Sequence, residues 1–160
     1  MKGGFDGRLD LRFPSPGERI FHSRSDCFSR HFTFFYTFMF SEMGVKLPFS
    51  PFVAKVLRHV GIAPTQLQPN GWAYLRSFEL LCEYFHFVPS HKIFLFFFKV
   101  SRDEPTLDGY ASLRGRNLFQ RFEPFASHFK NWNDKYFKVL FPLGEPDLFS
   151  FPNEIGRAHV

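Results

Sequence analysis

Cys82, His86 and His91 are the residues whose types and spacing come nearest to a metal site, in the pattern Cys-x3-His-x4-His. On a helix, Cys82 and His86 would share one face because they are four residues apart. A structural zinc ion normally has four protein ligands, and no second pair lies nearby in the sequence. We therefore interpret Cys82 as a core cysteine and His86 as a surface histidine, and we predict no metal ion and no cofactor.

Catalytic and phosphate-binding motifs are missing from the sequence. It contains no G-x-S-x-G elbow, no G-x-x-x-x-G-K-[ST] loop and no G-x-G-x-x-G. The serines have no motif context that would pair them with a histidine and a carboxylate. We therefore expect a protein that is not an enzyme, with no catalytic residue and no small-molecule ligand.

Positive charge is the next feature that could do chemistry. The chain carries a net charge of +5, and its richest basic window runs over 114–138, where Glu123 and Asp134 are the only acids. Such a window is compatible with DNA or RNA binding or with a solvated basic face. We favour the solvated face. The candidate nucleic-acid residues are Arg114, Arg116, Arg121, Lys130, Lys135 and Lys138.

A polar turn with two prolines, APTQLQPNGWAYL, occupies 63–75. Its amide side chains, among them Gln66 and Asn70, could line a ligand loop or cap backbone donors at a helix corner. We favour the corner, with the prolines setting the chain direction and Trp72 anchoring the next helix in the core.

The chain has 26 phenylalanines, so a large aromatic area must be buried in a core or against a partner. An exposed phenylalanine surface would indicate a missing partner or missing residues. The longest apolar runs, 32–40 and 93–98, are shorter than the roughly 20 residues of a membrane span. With two separate cysteines and no signal peptide, we predict reduced thiols, no membrane association and a cytoplasmic or nuclear location.

Three helices are predicted, over 50–60, 70–87 and 90–100. The first has Ser50 as a candidate N-cap and Pro51 at the first helical position. The third has a solid apolar centre that would also suit a buried strand, and we favour a helix. The apolar stripe of the second helix comprises Trp72, Leu75, Phe78, Leu81, Cys82 and Phe85.

Two strands, 109–113 and 135–140, are predicted to pair antiparallel with each other. The run 32–40 is compatible with a strand or a short helix. The fold expected for a single domain of this length is therefore mainly α, a three-helix core with a small antiparallel β element, with α+β as the alternative. Residues 1–30 are expected to be a disordered leader and 141–153 an irregular tail.

The run from Val45 to Ser90 resembles a plant family known as the putative gypsy-type transposon domain, which derives from long-terminal-repeat retrotransposons. The resemblance rests on a Leu-Pro turn, a short helix, and then Ala-Pro-x-Gln-Leu-x-Pro-Asn-x-Trp before an apolar helix. We assign the domain to 31–140. The matching signature residues are Pro64, Gln66, Leu67, Pro69, Asn70 and Trp72.

The resemblance implies the gag-like, N-terminal part of a transposable element's first protein. It does not carry over an enzymatic role, since the sequence lacks an Asp-Asp-Glu set, an Asp-Thr/Ser-Gly and a Tyr-x-Asp-Asp. We therefore expect a non-enzymatic assembly or scaffold domain that self-associates. Nucleic-acid binding through the basic 114–138 region is the alternative.

The last seven residues, EIGRAHV at 154–160, differ in kind from the rest. They are similar to the translated start of a common sequencing adapter. We expect this end to be non-native, with the native sequence diverging after Asn153.

Overall fold

A computed structural model describes residues 10–14, 16, 32–102, 110–116 and 129–140. In this part of the chain 42% of the residues are helical and 24% lie in strands. In chain order the elements are β1 (Asp10–Arg12), β2 (Phe32–Tyr36), α1 (Phe38–Ser41), α2 (Pro51–Val60), a 3-10 turn (Pro64–Gln66), α3 (Pro69–Tyr84), α4 (His91–Phe97), β3 (Phe98–Arg102), β4 (Ala111–Gly115) and β5 (Tyr136–Leu140).

The strands form two antiparallel sheets. The three-stranded sheet has the order β1-β5-β2, with Leu11 and Thr33 both facing Val139 in register. The two-stranded sheet pairs β3 with β4, placing Val100 opposite Leu113. The fold is therefore α+β, and the prediction of a mainly α protein is wrong.

The predicted strand pair is also wrong in its partners. Both segments form strands, as β4 and β5, but they do not pair with each other. Instead β5 lies between the early strands β1 and β2, while β4 folds back on β3. Partner choice depends on residues far away in sequence, which local alternation does not reveal.

Helix α2 confirms the predicted helix over 50–60. The Ser50 hydroxyl oxygen accepts a hydrogen bond from the backbone N–H of Val53 at 3.2 Å, and Pro51 takes the first helical position. Gly61 ends the helix with φ +64°, a left-handed conformation that glycine adopts without steric cost. Local chemistry alone thus sets both ends of this helix.

Helix α4 is shorter than predicted. The expected helix over 90–100 ends at Phe97, and Phe98 begins β3 with an extended backbone at φ −117° and ψ 148°. The backbone N–H of Arg116 donates to the Phe97 carbonyl at 2.8 Å. This apolar run therefore forms both of the structures left open, a helix up to Phe97 and a strand from Phe98. The strand begins there because β4 supplies a partner only from Phe98 onward.

The run 32–40 likewise contains both of the structures left open, β2 and then α1. The change occurs at Thr37, whose backbone N–H still donates to the Lys135 carbonyl of the sheet at 3.0 Å. Its own carbonyl then accepts from Phe40 and Ser41, which starts the helix. Asp10–Arg12, within the expected leader, is an edge strand, and the segments 141–153 and 154–160 lie outside the described residues.

One hydrophobic core joins the helices to both sheets. Phe94 is completely buried within it, with its ring near those of Phe52, Phe78 and Phe98. Among the described residues, no helix is both long and apolar enough to cross a membrane.

Replacing Trp72 by alanine should lower the free energy of unfolding by about 3–5 kcal/mol, because this side chain is only 2% exposed and its loss leaves a large cavity. Denaturant unfolding followed by far-UV circular dichroism measures the change. The matched control is Phe13→Ala, at a side chain that is 90% exposed, which should change stability by no more than about 0.5 kcal/mol. Equal losses in the two variants would contradict the anchoring role of Trp72.

Candidate interaction surfaces

The signature turn is a buried corner between α2 and α3. Gln66 is 4% exposed, and its side-chain oxygen accepts a hydrogen bond from the backbone N–H of Ala63 at 2.8 Å. Pro64 and Pro69 are also buried, each at the first position of its helical turn. The Gln66 amide thus satisfies a backbone donor inside the protein, which is the structural role favoured from the sequence for this turn.

The corner is attached to β4 through the backbone. The N–H of Gln68 donates to the Ala111 carbonyl at 2.9 Å, and Leu67 forms a parallel bridge with the same residue. Gly71 allows the Leu67 side chain to pack against the first turn of α3, because a Cβ atom at residue 71 would lie 2.5 Å from that side chain. Leu67 is therefore a packing residue of the corner.

The start of α3 completes the signature. Asn70 lies in its first turn, and Gln68 is the N-cap without a side-chain capping bond. Trp72 packs against Phe49 with ring centroids 5.6 Å apart. Its indole nitrogen is buried and has no hydrogen-bond partner among the described residues, an unpaired donor of the kind that costs about 1–3 kcal/mol.

A cavity of about 240 Å³ lies beside this corner, between the 44–50 connection and α3. On its polar side Glu79 accepts a hydrogen bond from the Ser50 hydroxyl and lies 3.5 Å from the Arg76 guanidinium. The cavity is smaller than the roughly 300–1,000 Å³ of usual small-molecule sites, and Arg76 and Glu79 in its lining are engaged with each other.

The metal-like triad is not gathered into a site. Cys82 is buried, and this burial raises the pKa of its thiol. The nearby charge of Glu79 raises that pKa further. His86 is exposed at φ +58°, just past the end of α3. In the described ranges no three His, Cys, Asp or Glu side chains are grouped as metal ligands would be.

His91 lies instead beside a histidine of another helix. Its ring centroid is 5.9 Å from that of His59 on α2. Desolvation by burial lowers the pKa of His91, and the nearby charges of His59, Lys55 and Lys92 lower it further. This part of the molecule is therefore a positively charged neighbourhood.

The candidate nucleic-acid residues are divided between the two sheets. Arg114 lies on β4 and Arg116 directly after it, whereas Lys138 lies on β5 with its ammonium 5.5 Å from the centroid of the Phe34 ring. Lys130 and Lys135 are exposed before β5, and Arg121 lies outside the described residues.

A basic groove that sequence reasoning missed lies between the end of α2 and the β3–β4 sheet. It encloses about 330 Å³, and its lining residues include His59, Lys99, Arg102 and Arg116. No sequence motif marks Lys99 and Arg102, because they follow the apolar run 93–98, for which a helix is predicted. We call this feature the basic groove.

Exposed apolar side chains are concentrated at the end of α3, in the following connection and on the outer side of α4. Tyr84 is 77% exposed, Phe87 70% and Phe96 71%. The predicted α3 stripe is wrong at two positions, since Leu81 and Phe85 are exposed. We call this feature the apolar surface; its members are Leu80, Leu81, Tyr84, Phe85, Phe87, Val88, Ile93 and Phe96.

These features together define a small α+β domain with one apolar and one basic surface. Residues 34–102 match a family model described as "Putative gypsy type transposon". The matched segment is similar to this gypsy-type transposon family, and it runs from within β2 to the end of β3, including the whole signature corner. Its description mentions neither a plant origin nor a gag-like position, so both stay predictions. No curated protein and no solved structure matches the chain.

Replacing Gln66 by methionine should lower the free energy of unfolding by about 1–3 kcal/mol, because the change keeps the shape but leaves the buried Ala63 N–H without its acceptor. Thermal or denaturant unfolding measures this. The control Lys55→Met places the same residue at an exposed position of α2 and should have little effect. A Gln66→Met variant as stable as wild type would show that the side-chain bond is not needed.

Proposed function

We propose that this chain is a non-enzymatic, gag-like assembly domain of a retrotransposon-derived protein, and that it self-associates through the apolar surface. The observation that carries the proposal is the exposure of eight large apolar side chains in and after the C-terminal half of α3. Monomeric proteins rarely expose apolar patches of more than a few hundred Å². The absence of catalytic motifs from the sequence supports a role other than catalysis.

The apolar surface is large enough for a specific contact. A fully buried aromatic side chain hides roughly 150–250 Å², so four exposed aromatics and four exposed aliphatics present on the order of 800 Å². A standard protein interface buries about that area on each partner. The rings are also in contact with one another, with centroids 5.0 Å apart for Tyr84 and Phe85 and 6.5 Å for Phe85 and Phe87.

Charge favours a second copy of this chain as the partner. Two copies each carrying +5 repel one another, so they can approach most easily where the surface is nearly uncharged. Over 80–96, the range that holds every member of the apolar surface, Glu83 and Lys92 are the only Asp, Glu, Lys or Arg, and their charges cancel. In a two-fold symmetric contact the same patch meets itself, so a patch with no net charge can do so without net repulsion.

Replacing Tyr84 and Phe87 together by serine should weaken self-association at least tenfold, because truncated aromatic anchors typically cost about 2 kcal/mol or more each. Both side chains are exposed, so the fold should persist, as circular dichroism can verify. Sedimentation equilibrium over a wide concentration range measures the dissociation constant.

The matched control for this variant is Lys130→Ser with Lys135→Ser, two exposed positions before β5. This control should associate like wild type. A wild-type protein that stays monomeric at high concentration would refute self-association.

A second candidate function is nucleic-acid binding. The observation that favours it is the exposure of several cations in the 114–138 region, namely Arg114, Arg116, Lys130 and Lys135. Exposed Lys and Arg side chains gain affinity for phosphates by releasing condensed counterions.

Affinity of the full chain for a labelled oligonucleotide should fall steeply as salt rises from about 50 to about 200 mM. Each phosphate contact contributes about 0.7–0.9 to the slope of log affinity against log salt. Fluorescence anisotropy measures this dependence. Affinity independent of salt, or no binding at the lowest salt, would argue against this function.

A further inference from the structure

The basic groove has the composition of an anion site. Its polar lining comes from three separate elements, with His59 on α2, Lys99 and Arg102 on β3, and Arg116 after β4, and it includes no acidic side chain. We propose that this groove binds the phosphate groups of a polynucleotide. The proposal rests on nucleic-acid binding, the second candidate function, and is independent of self-association.

The first argument is an unfavourable pair of like charges at the edge of the groove. Lys99 and Arg114 are direct partners in the β3–β4 register, so their side chains lie on the same face of the sheet. Like charges directly opposite each other destabilise a sheet. Neither side chain forms a hydrogen bond or an ion pair with any residue that the structure describes. A bound phosphate would remove this repulsion by placing a negative charge between the two cations.

The second argument is that two arginines are already held in place. Arg102 donates through Nη2 to the carbonyls of Val60 and Gly61, at 3.3 and 3.2 Å. Arg116 donates through Nε to the carbonyls of Leu95 and Phe98, at 2.9 and 3.1 Å.

Each guanidinium has five N–H donors, and these bonds use only part of them. The Nε and Nη1 groups of Arg102 and both Nη groups of Arg116 have no other partner within the described ranges. Both arginines therefore present oriented donors at little further cost in side-chain entropy.

The shape of the groove favours a chain of phosphates over a single ion. It is open, and its volume of about 330 Å³ would hold a unit of nucleotide size. The cations continue beyond the groove to the side chains of Lys99 and Arg114, which lie together on the outer face of the sheet. Between them, apolar side chains such as Val60 and Leu95 offer contact to sugars and bases.

The test compares two double variants of the full chain that remove the same charge. In the groove variant, Lys99→Gln with Arg114→Gln, no described hydrogen bond or ion pair is lost, so thermal stability should be unchanged or higher. In the control variant, Lys46→Gln with Lys55→Gln, two exposed cations outside the 114–138 region are removed.

Binding is measured by fluorescence anisotropy with labelled DNA and RNA oligonucleotides of about 16 nucleotides. We expect the groove variant to bind at least tenfold more weakly than wild type, with a salt slope lower by about 1.4–1.8 for two lost contacts. The control variant should lose much less.

Four outcomes would overturn the proposal. Equal losses in both variants would mean that only net charge matters. Unchanged affinity in the groove variant alone would place the nucleic-acid site elsewhere while leaving the second candidate function standing. No binding by wild type would refute both. Binding of inorganic phosphate or pyrophosphate without oligonucleotide binding would identify a small-anion site. None of these outcomes bears on self-association, which sedimentation of the same variants measures separately.

Discussion

The contact on which the rest of the structure depends is the burial of Phe94 among three other phenylalanines. Its ring lies edge-on to Phe52 of α2 at 5.5 Å and to Phe78 of α3 at 5.3 Å, and it stacks on Phe98 of β3 at 4.6 Å. Each such pair contributes about 0.5–1.5 kcal/mol beyond the area it buries. One side chain of α4 thus sets the positions of the other two long helices and of the first residue of β3. Part of the high phenylalanine content thus fills the contact between these helices and the two-stranded sheet.

Both candidate surfaces follow from the direction of that contact. Because Phe94 points inward from α4, Ile93 and Phe96 are left on its outer side, where both are exposed. Because Phe98 also points inward, the alternation of a strand turns Lys99 outward, toward Arg114 on β4. The apolar surface and the outer cations of the basic groove are therefore consequences of how one aromatic run is packed. An assembly contact and a phosphate contact could then operate on the same domain through different residues.

The signature corner depends on chain that lies beyond the family match. The match ends at Arg102, the last residue of β3, whereas the corner is held through the backbone of Ala111 on β4. The three-stranded sheet likewise needs β5, which pairs with β1 on one side and β2 on the other. The matched segment 34–102 therefore contains the helices and one strand of each sheet, and later strands complete both.

The sequence by itself determined the elements whose signals are local. The cap at Ser50, the stop at Gly61 and the prolines of the corner place α2 and the start of α3, because capping and φ restriction act within a few residues. It also identified the signature residues and the tendency of 111–115 and 136–140 to form strands. Only the tertiary structure decided what pairs with what: β5 with β1 and β2, and β3 with β4. It also decided that Leu81 and Phe85 are exposed and that Lys99, Arg102 and Arg116 converge. These outcomes depend on contacts between distant segments, whose free energies no local pattern contains.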